Sequence, residues 1–164
     1  MRYFITFATY GGHLHGDESG SVDRRHNMPR GRLLEADPQR VSDERQRMNQ
    51  VPYLLDRDSR AVVLHALREV CMHRGWGLLA AHVRTNHVHV VVEAEPRPEK
   101  IRNDFKSYAS RGLNRLGPDG SDRKRWARHG STRWLWKDQD VREAIRYVVE
   151  EQGEDMAVCV GADF

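Results

Sequence analysis

Residues 87–93 read HVHVVVE, and no other run constrains the fold as tightly. Side chains two apart in a strand leave from one face, so this segment predicts a strand with His87 and His89 on one side and Val88, Val90 and Val92 on the other. The valine face needs apolar cover, which predicts a sheet layered against helices. Periodicity elsewhere supplies that layer. Residues 2–10 (RYFITFATY) are rich in aromatic and β-branched types and predict a buried strand. From Asp58, Val62, Val63, Leu67, Val70 and Cys71 recur at helical spacing, and Gly75 and Gly77 end the run. Residues 77–84 predict a strand that pairs with 87–93 as a hairpin across a bend at Thr85 and Asn86. Residues 99–116 predict an amphipathic helix with the stripe Ile101, Phe105, Tyr108, Ala109, Leu113 and Leu116. A strand at 133–137 and a helix at 138–151, with Val141, Ile145, Val148 and Val149 inside, complete the series.

The order β-α-β-β-α-β-α predicts an α+β fold of the ferredoxin-like, split βαβ kind. It has an antiparallel sheet of about four strands, helices mainly on one face, and the first and third strands in the centre. The chain has 164 residues, the size of one cored domain, so residues 1–164 are expected to form a single unit. Residues 11–50 lack a sustained period and predict a long irregular insertion with a short helix around 38–48. Residues 153–164 predict a loosely held tail.

Lysine and arginine total 27 against 24 acidic residues, giving a net charge of +3. That balance permits an anionic partner without demanding one. No apolar run approaches the roughly 20 residues that span a bilayer, so no membrane association is expected. The opening MRYFITFATYGG is broken by Thr6 and Thr9 and does not read as a signal peptide. Cys71 and Cys159 are the only cysteines. They are too few for a disulfide scaffold or a cysteine-built zinc site, and they suit a reducing cytoplasm.

The chemistry-bearing residues fall in three places. On the predicted strand, His87 and His89 have Cβ atoms about 6.5–7 Å apart, close enough for two imidazoles to converge on one metal ion. The plain alternative is a surface strand with two solvated histidines. With nine histidines in the chain such pairs also arise by chance, and His13-Leu14-His15 is a second one. On the helix at 99–116, Tyr108 is either a core tyrosine or a nucleophile. Lys106, Arg102, Arg111 and Arg115 surround it with positive charge, and Ser107, Ser110 and Asn114 give it a polar flank. Cations favour a phenolate and hold a phosphate. The loop DRKRWARHG sets Arg123, Lys124, Arg125 and Arg128 beside Trp126, and the following strand carries Arg133, Trp134, Trp136 and Lys137. Positive charge interleaved with indoles suits a single nucleic-acid strand. The alternative is a solvated loop and core tryptophans. Lys106, Arg111, Arg123, Lys124, Arg125, Arg128, Trp126 and Arg133 form the candidate DNA-binding set. Arg24, Arg25, His26, Arg30 and Arg32 make a second basic stretch.

Taken together, NHVHVVV (86–92) and DFKSYASRGLNR (104–115) resemble the single-tyrosine transposases of the HUH endonuclease superfamily, and in particular the REP-associated tyrosine transposases. The segments ITFATYGGHLHGDESGSV and WARHGSTRWLWKDQDVREAIRYV resemble the flanks of that family. The resemblance implies nicking and rejoining of single-stranded DNA, probed as a hairpin-bearing strand. His87 and His89 would hold a divalent ion, magnesium or manganese, and Tyr108 would form a 5′-phosphotyrosine link. Related enzymes often place a glutamine one turn after the tyrosine as third ligand. Here that position is Gly112, which leaves Asp104, Asn114 and Glu93 as substitutes, with Asp104 on the face of Tyr108. The resemblance is compatible with a homodimer or a monomer. Two rival readings stand beside it: a non-catalytic ferredoxin-like module that binds single-stranded nucleic acid, and a metallohydrolase of small phosphoesters.

Overall fold

The structure is a computed structural model, and it describes residues 1–12, 38–117 and 119–162. The described residues contain five strands and four helices, in the order β1 (Arg2–Ala8), α1 (Pro38–Arg47), α2 (Arg57–Arg74), β2 (Gly77–Val83), β3 (His87–Glu93), α3 (Pro98–Leu116), β4 (Ser131–Trp134), α4 (Asp138–Glu150) and β5 (Ala157–Val160). The strands form one antiparallel sheet in the order β4-β1-β3-β2-β5. Its first four members have the ferredoxin-like arrangement, with β1 and β3 in the centre as their apolar alternation demands. The α+β class is therefore as expected.

Two features differ from the expectation. Residues 157–160, expected to be a loose tail, pair with β2 as a fifth strand, Ala81 opposite Cys159 and His82 opposite Val158. The helices also divide between the faces. Tyr3, Ile5, Phe7, Val88, Val90 and Val92 pack under α2 and α3, joined by Val63, Leu67, Val70, Ile101, Phe105, Ala109 and Leu113. The opposite face buries Leu79, Ala80, Val91 and Leu135 under Val141, Ala144 and Val148 of α4. Each fully buried Val, Leu or Ile of this kind contributes about 1.5–3 kcal/mol. α4 is thus the cover for the histidine face.

Local signals explain how the helices start, stop and approach. Asp56 caps α2 by accepting from the Ser59 amide at 2.8 Å. Gly75 ends α2 at φ 70°, a left-handed conformation suited to glycine. At Gly112 of α3, a Cβ would lie 2.9 Å from Val62 Cγ1 of α2. The glycine is explained by close helix packing. Among the described residues, no helix is long and apolar enough to cross a membrane.

Candidate active site

The sheet register builds the site row by row. Thr6 of β1 lies opposite His89, and His89 lies opposite His82 of β2. On the outer side Ser131 of β4 lies opposite Thr6. The adjacent row runs Arg133, Phe4, Val91 and Ala80. Alternation puts all of these on the α4 face, with His87 one step further along β3. The rings of His87 and His89 stand 4.7 Å apart, centroid to centroid, at 75°. The paired imidazoles that the sequence predicts therefore do share one face and one location.

Both rings are held from behind. His87 Nδ1 lies 2.6 Å from Asn86 Oδ1, and Asn86 Nδ2 donates to Gly12 O at 2.9 Å. A neutral His87 that donates from Nδ1 carries its lone pair on Nε2. His89 Nδ1 lies 2.8 Å from Thr6 Oγ1. Burial, reinforced by neighbouring His87, drives the His89 pKa down to about 3, although a side-chain hydrogen bond to Gln152 opposes the shift. His89 is therefore a neutral imidazole near pH 7.

The tyrosine on this face belongs to α4. The Tyr147 ring is 5.8 Å from that of His89 and 5.8 Å from that of Phe4, with both pairs near perpendicular. Tyr147 remains 41% exposed, so a ligand can reach it. Gln152, just beyond the helix, hydrogen-bonds His89 through its side chain and donates from Nε2 to Tyr147 O at 3.2 Å. The Arg133 guanidinium lies over the Phe4 ring at 5.7 Å. His89, Tyr147 and Arg133 thus converge on the Phe4 ring, with His87 and Gln152 beside His89.

His82 fixes the end of α4 that carries Tyr147. It is fully buried, with Nδ1 2.9 Å from Val148 O, and the Met156 amide donates to Nε2 at 3.1 Å. A carbonyl only accepts and an amide N–H only donates, so the ring is neutral with its proton on Nδ1. Burial likewise holds its pKa below the ordinary value. Arg84 adds a hydrogen bond to Glu154 O. These contacts staple the stretch from Val148 to Met156, with Gln152 inside it, onto β2.

Several expected site residues lie elsewhere. Tyr108 is on α3, in the layer across the sheet, packed against the first core. Its ring is 6.3 Å from that of His73 and carries Arg111 at 4.3 Å. The sheet therefore separates Tyr108 from the two histidines, and the expectation that it joins them is corrected. Asp104 is in the same layer, paired with Lys100 at 3.1 Å and Arg74 at 3.4 Å, which corrects its expected place as a ligand. Glu93 is at the far end of β3, opposite Arg2 and Gly77. Asn114 accepts from Arg125 at 2.6 Å.

The basic set also divides. Lys106 donates to Ala127 O at 2.8 Å and His129 O at 3.0 Å, so its ammonium fastens the loop rather than facing outward. Arg125 is 3% exposed, too buried for a surface contact. Arg123 donates to Gln50 Oε1, Lys124 O and Val51 O, and Trp126 donates to Ser110 Oγ at 2.9 Å. These four are corrected to structural roles by their buried or satisfied polar groups. Arg111 is exposed on the α3 layer, Arg128 is exposed on the loop, and Lys124 is exposed while donating to Asn49 Oδ1. Arg133 is on the histidine face, over Phe4. His13, His15, Arg24, Arg25, His26, Arg30 and Arg32 lie outside the described residues.

Sequence reasoning missed Tyr147 and Gln152. The available signal was β2: Leu78-Leu79-Ala80-Ala81 is apolar on both faces, so a helix has to cover the histidine side as well. The helix at 138–150 follows β4 and carries an exposed tyrosine beside its apolar stripe.

Fold and site together define a class: a ferredoxin-like domain whose central strand presents paired imidazoles to a tyrosine on a covering helix. The chain belongs to the IS200-like transposase family, whose model matches residues 49–139, more than half of its length. That match includes both histidines and ends before Tyr147. No curated protein sequence matches the chain. Among solved structures it is similar to a REP-associated tyrosine transposase bound to a REP hairpin, at 12% identity and TM-score 0.48 over 90% of this chain and 64% of that one. The chain thus spans a little under two thirds of that protein. A second similar structure, from Deinococcus radiodurans R1 and described as a transposase, shares 16% identity at TM-score 0.47, over 93% of this chain and 90% of that one.

Proposed function

We propose that the chain nicks and rejoins single-stranded DNA next to a hairpin, through a covalent link to Tyr147. The observation that carries this reading is the position of the Tyr147 ring, 5.8 Å from His89 and partly exposed, beside the paired imidazoles of His87 and His89. The family relationship supports a transposase-like role in DNA processing.

The donors present fit a divalent ion. Two imidazole nitrogens and the amide oxygen of Gln152 make a mixed nitrogen and oxygen set suited to manganese, and acceptable to magnesium when phosphate oxygens complete the shell. Among the described residues no group of three or more His, Cys, Asp and Glu side chains is placed to hold a metal ion; the Gln152 side chain, hydrogen-bonded to His89, would supply the third donor. When bound, the ion polarises a phosphoryl oxygen and offsets developing negative charge. Thr6 and Asn86 keep the two rings turned toward the ligand, as outer partners of metal-bound histidines generally do. Arg133 holds a neighbouring phosphate by charge.

Tyr147 Oη attacks the phosphorus and gives its proton to solvent. A bond forms between Oη and phosphorus as the bond from phosphorus to the 3′ oxygen breaks. The leaving oxygen takes up a proton and becomes a 3′-hydroxyl, while the 5′ phosphate stays on Tyr147. Attack by a 3′-hydroxyl on that phosphotyrosine reverses the step and joins strands without an external energy source.

The test uses a hairpin-bearing single-stranded oligonucleotide labelled at the 3′ end, with manganese. Wild type is expected to carry the label through denaturing electrophoresis, and His87→Ala, His89→Ala and Tyr147→Phe to lose at least about 100-fold of it, the scale of losing a nucleophile or its activating groups. Absence of a protein-bound label on a panel of hairpin substrates would end the proposal.

A further inference from the structure

We infer that Trp134 and Trp136 form a base-stacking ledge for the unpaired strand, beside the site and outside its reacting groups. The inference rests on the single-strand reading above and names where an unpaired base is held.

The two indoles are stacked, with centroids 5.3 Å apart and planes within 9°. Trp134 is 38% exposed and Trp136 70% exposed. A pair of large apolar rings left in water on an edge strand marks a contact surface. The pair is also anchored. Trp134 meets the edge of Tyr3 at 4.8 Å and 70°, while Tyr3 is buried and donates from its hydroxyl to Pro96 O at 3.2 Å. The column therefore runs from a fixed core ring, through one indole, to a second whose outer side meets solvent. A planar nucleobase extends such a column by stacking, and every base has the π-face to do so.

The surrounding charge and the route of the strand agree with that occupant. Arg133 and Lys137 bracket the indoles in sequence, and Lys137 is exposed. The nearby Asp138 carboxylate is neutralised by Arg2 at 2.6 Å. Arg133 and Trp134 are consecutive on β4 and point to opposite faces of the sheet. Arg133 lies over Phe4, which touches both His89 and Tyr147. A strand held by Arg133 at the site therefore meets the indoles as it rounds β4, the outermost strand on that side among the described residues. A duplex has its base faces already stacked, so the ledge selects unpaired nucleotides.

The test is fluorescence anisotropy at fixed low salt without divalent metal, so that binding is read apart from cleavage. The probes are fluorescein-labelled oligothymidylate and the same sugar-phosphate chain lacking bases. Trp136→Ala, at an exposed position, is expected to bind oligothymidylate about 5- to 150-fold more weakly than wild type, the range for one lost base stack. Trp136→Phe should recover most of that, and all three proteins should bind the abasic chain alike. Equal binding of oligothymidylate by wild type and Trp136→Ala, or an equal loss on the abasic chain, overturns the ledge. So does conversion of a wild-type dimer to a monomer by Trp136→Ala with no base-dependent loss, which would make the indoles a contact between copies. Normal strand nicking with a neutral Trp136→Ala would refute the ledge alone. A base-dependent ledge in a protein that never nicks would refute the activity alone.

Discussion

His89 shows how one buried side chain serves both the fold and the site. Burial holds its pKa at about 3, well under the ordinary 6.5, and Thr6 and Gln152 occupy its flanks. In the unfolded chain the same imidazole takes up a proton below about pH 6.5. Unfolding therefore binds a proton between pH 6.5 and 3, and the stability present above pH 6.5 is lost as the pH falls through that window. Each such proton gives a slope of up to about 1.4 kcal/mol per pH unit. His82, also held below its ordinary value by burial, adds to the slope with the same sign. Urea denaturation of the metal-free protein between pH 7.5 and 5 should show the decline, and His89→Phe should make it shallower. A slope unchanged by that substitution would contradict a neutral buried imidazole. At this scale the histidine pair was legible because alternation on β3 depends only on neighbouring residues. The tyrosine was not. Tyr108 and Tyr147 both stand on amphipathic helices among charged neighbours, and helical period says nothing about which face of the sheet a helix will cover.

The elements that place the site do so through backbone contacts that leave little trace in sequence. α4 is tied to β2 by His82, whose ring joins Val148 O to the Met156 amide, and β5 begins directly after that tie. β5 was illegible because AVCV is short, follows a polar stretch and pairs only along an edge. The basic loop before β4 behaves similarly. Its arginines suggested a surface for DNA, yet Lys106 reaches in from α3 to its carbonyls at Ala127 and His129, over the Phe7 ring at 5.8 Å. Burial, reinforced by the neighbouring Arg102 charge, lowers the Lys106 pKa to about 8. Lys106→Met should cost about 1–3 kcal/mol, the penalty for unmade charge-assisted hydrogen bonds. Hydrogen exchange at residues 127–130 should quicken while α2 stays protected. Unchanged exchange in that loop would show that Lys106 does not fasten it.

The whole molecule divides its labour between the two faces of one sheet. The α2 and α3 layer covers the larger core and supplies most of the fold's apolar burial. On the side of the smaller α4 layer, His87, His89, Gln152 and the partly exposed Tyr147 meet. The β4-β1-β3-β2 order was legible from alternating strand and helix periods, since the topology follows from the element sequence. The two-sided cover was legible only in the doubly apolar β2. The most direct measurement is the site of attachment in the covalent protein–DNA adduct, read by mass spectrometry after trypsin and nuclease treatment. Cleavage after Arg146 releases a fragment beginning at Tyr147, whereas Tyr108 falls in the fragment Ser107–Arg111. The account predicts nucleotide mass on the fragment beginning at Tyr147 and full adduct formation by Tyr108→Phe. Nucleotide mass on the Ser107–Arg111 fragment, or an adduct undiminished in Tyr147→Phe, would contradict it.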